Sequence, residues 1–201
     1  MYGTVRDMKR IILASTSPRR RELLAKEGVI FDIVASDYEE DMTLPLPPAE
    51  LAMHLAHGKA MSVAEKEHNV IVIGADTFIS IDDSILGKPK TIERAREMIH
   101  AMNGRSHTII TGYAIIDSDT GQTVTNAVET KVYFKKLSDK DIEKYLAISD
   151  ALDRAGAYAI QDHGGTMLID HFEGDLANAM GFPVQHILES LKEFEDTYEK
   201  K

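Results

Sequence analysis

The sequence predicts a single α/β domain, and three observations carry that expectation. Short apolar runs of strand length, at 11–14 and 70–75, alternate with segments whose apolar residues recur at helical spacing. The run Val70-Ile71-Val72-Ile73-Gly74-Ala75 is continuous and rich in β-branched residues, the pattern of a strand covered on both faces. A chain of 201 residues, 43% hydrophobic and 28% charged, has the composition of an ordinary globule and is long enough to bury one proper core.

Taken in order, residues 1–9 read as an N-terminal extension, 10–194 as one domain in two lobes, and 195–201 as a polar C-terminal tail. The strand at 11–14 is broken by Ser15-Thr16-Ser17 just before Pro18 opens a helix, with Ser17 at the N-cap and Pro18 at the first helical position. Gly28 is a natural residue to end it. Residues 31–35 read as a second strand running into the acidic stretch Ser36-Asp37-Tyr38-Glu39-Glu40-Asp41, and the proline-rich loop 44–48 delivers the chain to a helix over 49–67. On that helix Ala52, Leu55, Ala56 and Val63 share one face with Lys59. A lysine there either snorkels past the edge of the core or points its ammonium into a cleft.

The buried strand 70–75 ends at Asp76-Thr77. Ligands gather beyond the carboxyl ends of strands in open α/β sheets, so an aspartate at that edge is well placed for chemistry, although aspartate also caps and turns chains. Residues 78–86 read as a hairpin turning at Asp82-Asp83-Ser84, which exits into the rigid corner Gly87-Lys88-Pro89. A helix over 92–102 turns Ala95, Met98, Ile99 and Met102 inward; strands follow at 108–117 and 122–135. Ser138 as N-cap, Asp141 three residues on, and Leu137 with Ile142 predict a helix to about 148. From 153 to 181 the chain is rich in glycine and short of periodic segments, reading as loops that let backbone approach a ligand. Pro183 opens a last helix with Val184, Ile187, Leu188, Leu191 and Phe194 inward.

The formal net charge of -10 argues against a protein that coats nucleic acid, so a polyanionic substrate has to be met by local cations or a bound metal. The densest basic cluster is Arg19-Arg20-Arg21, at the start of a helix whose unpaired N–H groups suit an anion. Planar guanidinium forks grip phosphate oxygens in pairs, though an arginine run also describes a solvated helix face. No apolar run reaches membrane-spanning length and no hydrophobic leader opens the chain, so the expected location is cytoplasmic. With no cysteine there is no disulfide, zinc-thiolate site or thiol nucleophile. Gly-x-x-x-x-Gly-Lys-Ser/Thr, Gly-x-Gly-x-x-Gly and His-Glu-x-x-His are all absent, and His54 with His57 lacks a third metal ligand nearby in sequence.

Six motifs stand in order: Leu-Ala-Ser-Thr-Ser-Pro-Arg-Arg-Arg-Glu-Leu-Leu (13–24), Gly-Ala-Asp-Thr (74–77), Leu-Gly-Lys-Pro (86–89), Gly-Arg-Ser-His-Thr-Ile-Ile-Thr-Gly (104–112), Ala-Gly-Ala-Tyr-Ala-Ile-Gln (155–161) and Gly-Asp-Leu-Ala-Asn-Ala-Met-Gly-Phe-Pro (174–183). Over about 10–191 the chain thereby resembles the Maf family of nucleoside triphosphate pyrophosphatases. The resemblance implies an elongated α/β fold akin to inosine triphosphate pyrophosphatases, with a mixed curved sheet flanked by helices and a deep cleft between two lobes. It implies hydrolysis of a nucleoside triphosphate to monophosphate and pyrophosphate with a divalent metal, Mg²⁺ or Mn²⁺, and a homodimer is compatible with it. Position by position, Asp76 resembles the family's proton acceptor, Arg19, Thr77 and Gln161 its specificity positions, Arg20, Lys59 and Lys88 its phosphate-binding cations, and Glu40 its acidic partner for metal or water. The arginine pair after Ser-Pro, with Tyr-x-Ile-Gln, is the pattern of the branch preferring dTTP and UTP. Ala159, where glycine is usual, and Asp162, where glycine is frequent, depart from the pattern and bear on base selectivity.

Elementary chemistry points the same way. Displacement at phosphorus depends on positioning and on stabilising charge at the attacking and leaving oxygens, which Arg19, Arg20, Lys59, Lys88 and a helix N-terminus would supply. A metal held by Asp76 and Glu40 would lower the pKa of a bound water whose proton Asp76 accepts, with Ser15 and Ser17 as phosphate donors and helix cap. Two other readings stand beside this one: a nucleotide-binding regulator of septum formation with little turnover, and a phosphomonoesterase of the haloacid dehalogenase kind. The latter needs Asp-x-Asp, whereas Asp76-Thr77-Phe78 offers one aspartate.

Overall fold

The computed structural model describes residues 9–82, 84–161 and 165–199, with side chains described as far as Phe194. Most of the expected extension (1–8), Asp83 of the predicted turn, Asp162, and residues 200–201 of the tail lie outside the described residues.

The strands are β1 (Arg10–Leu13), β2 (Phe31–Ile33), β3 (Val70–Ile81), β4 (Ser84–Leu86), β5 (Ser106–Asp117), β6 (Thr123–Phe134) and β7 (Ile169–Glu173). The helices are α1 (Pro18–Lys26), α2 (Pro48–Ala64), α3 (Ile92–Met102), α4 (Asp139–Ile148), two short turns α5 (Gly165–Leu168) and α6 (Leu176–Ala179), and α7 (Val184–Glu199). One mixed seven-stranded sheet runs β2-β1-β3-β5-β6-β7, with β4 also on β3. Its parallel part is β2-β1-β3; every other pairing is antiparallel.

At 12 residues each, β3, β5 and β6 are about 40 Å long at ~3.3 Å per residue, and they set the length of the molecule. Alternate side chains of β3 build different cores along one face. Ile71, Ile73 and Ala75 pack with Leu23, Leu24, Ile187 and Leu191 of α1 and α7, whereas Ile79 and Ile81 pack with Met98, Ile99, Ile142 and Tyr145 of α3 and α4. Thr77 falls between them, hydrogen-bonded to Thr111 of β5 at 3.0 Å, so a seam of hydroxyls lies between two hydrophobic clusters on one continuous sheet. On the opposite face, Ala56, Ala60 and Val63 of α2 cover Val70, Val72 and Ala114.

Several expectations are corrected. Residues 70–81 are a single strand, so Asp76 lies in mid-strand and not at its carboxyl end. Ser17 does occupy the N-cap, but its side chain makes no capping bond; instead its N–H donates to Ser15 Oγ at 3.2 Å. Gly28 ends α1 with a φ of +76°, as expected. The capping box of Ser138 and Asp141 is present. The region read as loop hides β7, an edge strand beside β6, and α7 continues through Glu199 into the segment read as a tail.

Candidate active site

β1 pairs with Val70–Ile73, and β4 with Ile79–Ile81, which leaves the intervening edge of β3 without a strand neighbour. That gap holds Asp76: the residue lies past the carboxyl end of β1 although it is inside β3. The last ladder bond on this edge runs from Ala14 N–H to Ile73 O at 2.8 Å, and the next carbonyl with the same orientation belongs to Ala75. It accepts from Arg20 Nη1 at 2.7 Å.

Arg20 thus stands in for the missing strand. Besides Ala75 O, it donates from Nε to Gly181 O at 3.0 Å, from Nη2 to Thr77 Oγ1 at 3.1 Å, and from Nη1 to Ser15 Oγ at 3.5 Å. Both neighbours of Asp76 are gripped, and α1 and the turn before α7 are tied to the same point. Burial pulls this guanidinium below its ordinary pKa, opposed by the nearby carboxylates of Asp76 and Glu40. Its assigned donors go to protein oxygens.

Close approach of α2 builds the next layer. A Cβ on Gly74 would lie 2.5 Å from Ala56 O, and one on Gly112, opposite Asp76 in the ladder, 2.1 Å from Ala52 O. With both positions bare, the helix seats directly on the strands and Lys59 reaches Asp76. The ammonium binds Asp76 Oδ1 and also Glu40 Oε1, the latter at 2.6 Å. Lys59 therefore does not snorkel to solvent; it bridges two carboxylates from separate segments.

These groups open into a cleft of about 750 Å³ lined by Ser15, Ser17, Arg19, Arg20, Glu40, Lys59, Asp76, Thr77 and Lys88 among others. At its mouth Lys88 binds Asp153 Oδ1 at 2.6 Å. That hydrogen bond, with further attraction from Lys88, Arg154 and Arg19, holds the Asp153 carboxyl below the usual range. Asp153 and Arg154, which also line the cleft, were not singled out from sequence; a charged pair opening the glycine-rich stretch at 155–156 was the available signal. The apolar part of the lining is Ile79, Ile109, Tyr158, Ala159, Ile160 and Met180. Gln161 is exposed and does not line the cleft.

Asp76 and Glu40 meet on one cation, so their hard oxygen donors suit Mg²⁺ or Mn²⁺. Among the described residues no group of three or more His, Cys, Asp or Glu could hold a metal, so any such ion would draw its other ligands from substrate and water. His54 and His57 line a separate, open hollow with Glu50, and His54 Nε2 lies 3.3 Å from Tyr38 OH.

Comparisons with known proteins bear on the fold and the family. A solved HAM1 protein from Coxiella burnetii superposes with a TM-score of 0.54 at 12% identity, covering 92% of this chain and 100% of its own, which supports the fold alone. A protein of Bacillus cereus (strain ATCC 10987 / NRS 248) named dTTP/UTP pyrophosphatase is 42% identical over 188 residues, 94% of this chain and 91% of its own length. One of the same name from Clostridioides difficile (strain 630) is 42% identical over 184 residues, 92% and 94% of the two chains. The family model for Maf-like proteins matches residues 10–194, and the chain belongs to the Maf family.

Proposed function

We infer that this protein hydrolyses nucleoside triphosphates to nucleoside monophosphate and pyrophosphate, with dTTP and UTP as favoured substrates. The relatives bearing that name support the reaction and its substrates. From the structure, the observation that carries it is the buried Asp76 carboxylate, held by Lys59 in a cleft lined by both cations and apolar side chains. A polyphosphate tail needs the first kind of lining and a base the second.

Water attacks the α-phosphorus, its proton passes to the Asp76 carboxylate, and the bond from that phosphorus to the α–β bridging oxygen breaks to release pyrophosphate. Lys59, Lys88 and Arg19 offset the charge of the phosphate oxygens, and the hydroxyls of Ser15 and Ser17 donate to them beside the α1 N-terminus. Arg20 fixes the strand on which Asp76 is carried. Asp76 and Glu40 would hold a divalent Mg²⁺ or Mn²⁺, which when bound supplies positive field and a more acidic water. By family resemblance Arg19 and Thr77, which line the cleft, contribute to base selection; for Gln161, exposed and outside the lining, that role rests on the resemblance alone. The acidic surface, with net charge -10, favours free nucleotide over nucleic-acid polymer as the partner, and no described helix is long and apolar enough to cross a membrane. The same reading has the protein acting in the cytoplasm and is compatible with a homodimer.

A nucleotide panel with separate assays for pyrophosphate and orthophosphate tests this. Asp76→Ala is expected to abolish pyrophosphate release while triphosphate binding survives; orthophosphate as the first product of the wild type overturns the reading.

A further inference from the structure

His107 belongs to one of the sequence motifs, yet nothing in the reaction above uses it. It is 3% exposed on β5, two residues before Ile109 of the apolar wall. Its ring meets Phe134 edge-on at 4.8 Å and Tyr158 at 5.4 Å between centroids. Its Nε2 lies 2.5 Å from the hydroxyl of Tyr158. Burial drives its pKa down to about 3, which favours the neutral imidazole near pH 7.

Tyr158 follows two consecutive left-handed residues, Gly156 at φ +61° and Ala157 at φ +67°. A non-glycine residue is held in that region only when its surroundings over-determine it. Here Gly156 N–H donates to Gly87 O at 3.0 Å and Tyr145 OH to Ala157 O at 2.8 Å. These two bonds fix the bend, and the His107 contact then fixes the direction in which the chain leaves it. The residues that leave it, Tyr158, Ala159 and Ile160, belong to the apolar lining of the cleft. A buried phenol needs a partner, and His107 provides one from the same sheet that carries Asp76.

We propose that His107 is a positioning residue for recognition of the nucleobase, acting through the Tyr158 hydroxyl to set the wall of residues 158–160 against which the base lies. The inference rests on the nucleotide reading given above. Wild-type pyrophosphate release from dTTP and UTP is therefore measured first, and its absence would defeat that reading rather than this one.

Given that activity, His107→Phe and Tyr158→Phe each remove the bond while keeping a ring in place. Each is expected to raise KM for dTTP and UTP about tenfold, the effect of ~1.4 kcal/mol. Turnover should stay within about twofold, as should inhibition by inorganic tripolyphosphate, a probe of the phosphate end alone. The double variant should be no worse than either single one, since both break the same link, and His107→Gln should recover part of the loss. Should His107→Phe fail to fold, Tyr158→Phe carries the test, with its melting temperature as control. Additive effects, unchanged KM for both pyrimidine nucleotides, or a parallel loss of tripolyphosphate affinity overturns the proposal.

Discussion

Two ion pairs frame the cleft, and they differ in kind. Lys59 and Asp76 have side chains 13% and 7% exposed, on a helix and a strand pressed together through bare glycines. Lys88 and Asp153, at the mouth, are 64% and 76% exposed and sit on a corner and a short turn. The first pair is shielded from solvent, so its charges depend on one another and its geometry is set before substrate arrives. In the second, water and salt screen the attraction, and the partners exchange readily for other ions. A group that must accept a proton in a defined geometry belongs in the first setting. One that must catch and release a polyphosphate belongs in the second.

Replacing each lysine by methionine probes the contrast most strongly. Lys59→Met leaves the Asp76 carboxylate buried without its counter-ion, a change that costs about 3 kcal/mol or more. For a chain of this size that is a fall of roughly 6–12 °C in Tm. Lys88→Met should cost at most about 1 kcal/mol. Both should impair turnover, but thermal melts should separate them; equal shifts in Tm would show that the two pairs are energetically alike.

Arg20 extends the buried side of the comparison. Removing it takes from Ala75 O its donor, leaves Gly181 O with only the 3.2 Å bond from Thr77 Oγ1, and frees both neighbours of Asp76, and small misplacements of a reacting group cost about 100-fold in rate. Arg20→Ala is therefore expected to lower kcat about 100-fold while tripolyphosphate inhibition changes no more than ~3-fold. A loss of tripolyphosphate affinity that matches the loss of turnover would instead make Arg20 a direct phosphate ligand.

The same contrast explains what the sequence could disclose. Val70 to Ala75 read as a buried strand because every position is apolar or glycine, and residues 78–86 read as the hairpin that the pairing of β3 with β4 forms, but that 70–81 is one continuous strand was not legible. Asp76 and Thr77 interrupt the apolar run where the cleft and the hydroxyl seam cross the sheet. β7 escaped notice for the opposite reason: as an edge strand it has four of five residues exposed, so Ile-Asp-His-Phe-Glu carries no core pattern. The capping box of α4 needed only neighbours in sequence and was legible in full. Asp76, Lys59 and Lys88 could be picked out individually, by an apolar run, a helix face and a rigid corner. Glu40 was named through the family resemblance alone, and which carboxylate each lysine meets could not be read, because Glu40 meets Lys59 and Asp153 meets Lys88 only through tertiary packing. Arg20 was legible as a cation in the right place; that it fills a gap in the sheet follows from β1 stopping at Leu13.

The smallest expected effect concerns Asp153, whose carboxylate holds Lys88 at 2.6 Å where a phosphate oxygen is expected to bind. Substrate must then compete with an anion already in place. Because both side chains are well exposed, the pair contributes no more than about 1 kcal/mol, so releasing it strengthens substrate binding a few-fold at most. Asp153→Asn keeps the shape and removes the charge. It is expected to lower KM about two- to threefold at low ionic strength with kcat unchanged, and the difference should fade in several hundred millimolar salt as screening weakens the pair in the wild type. Were KM to rise instead, Asp153 would be holding Lys88 in its working position, and the exposed pair would share the fixed character of the buried one.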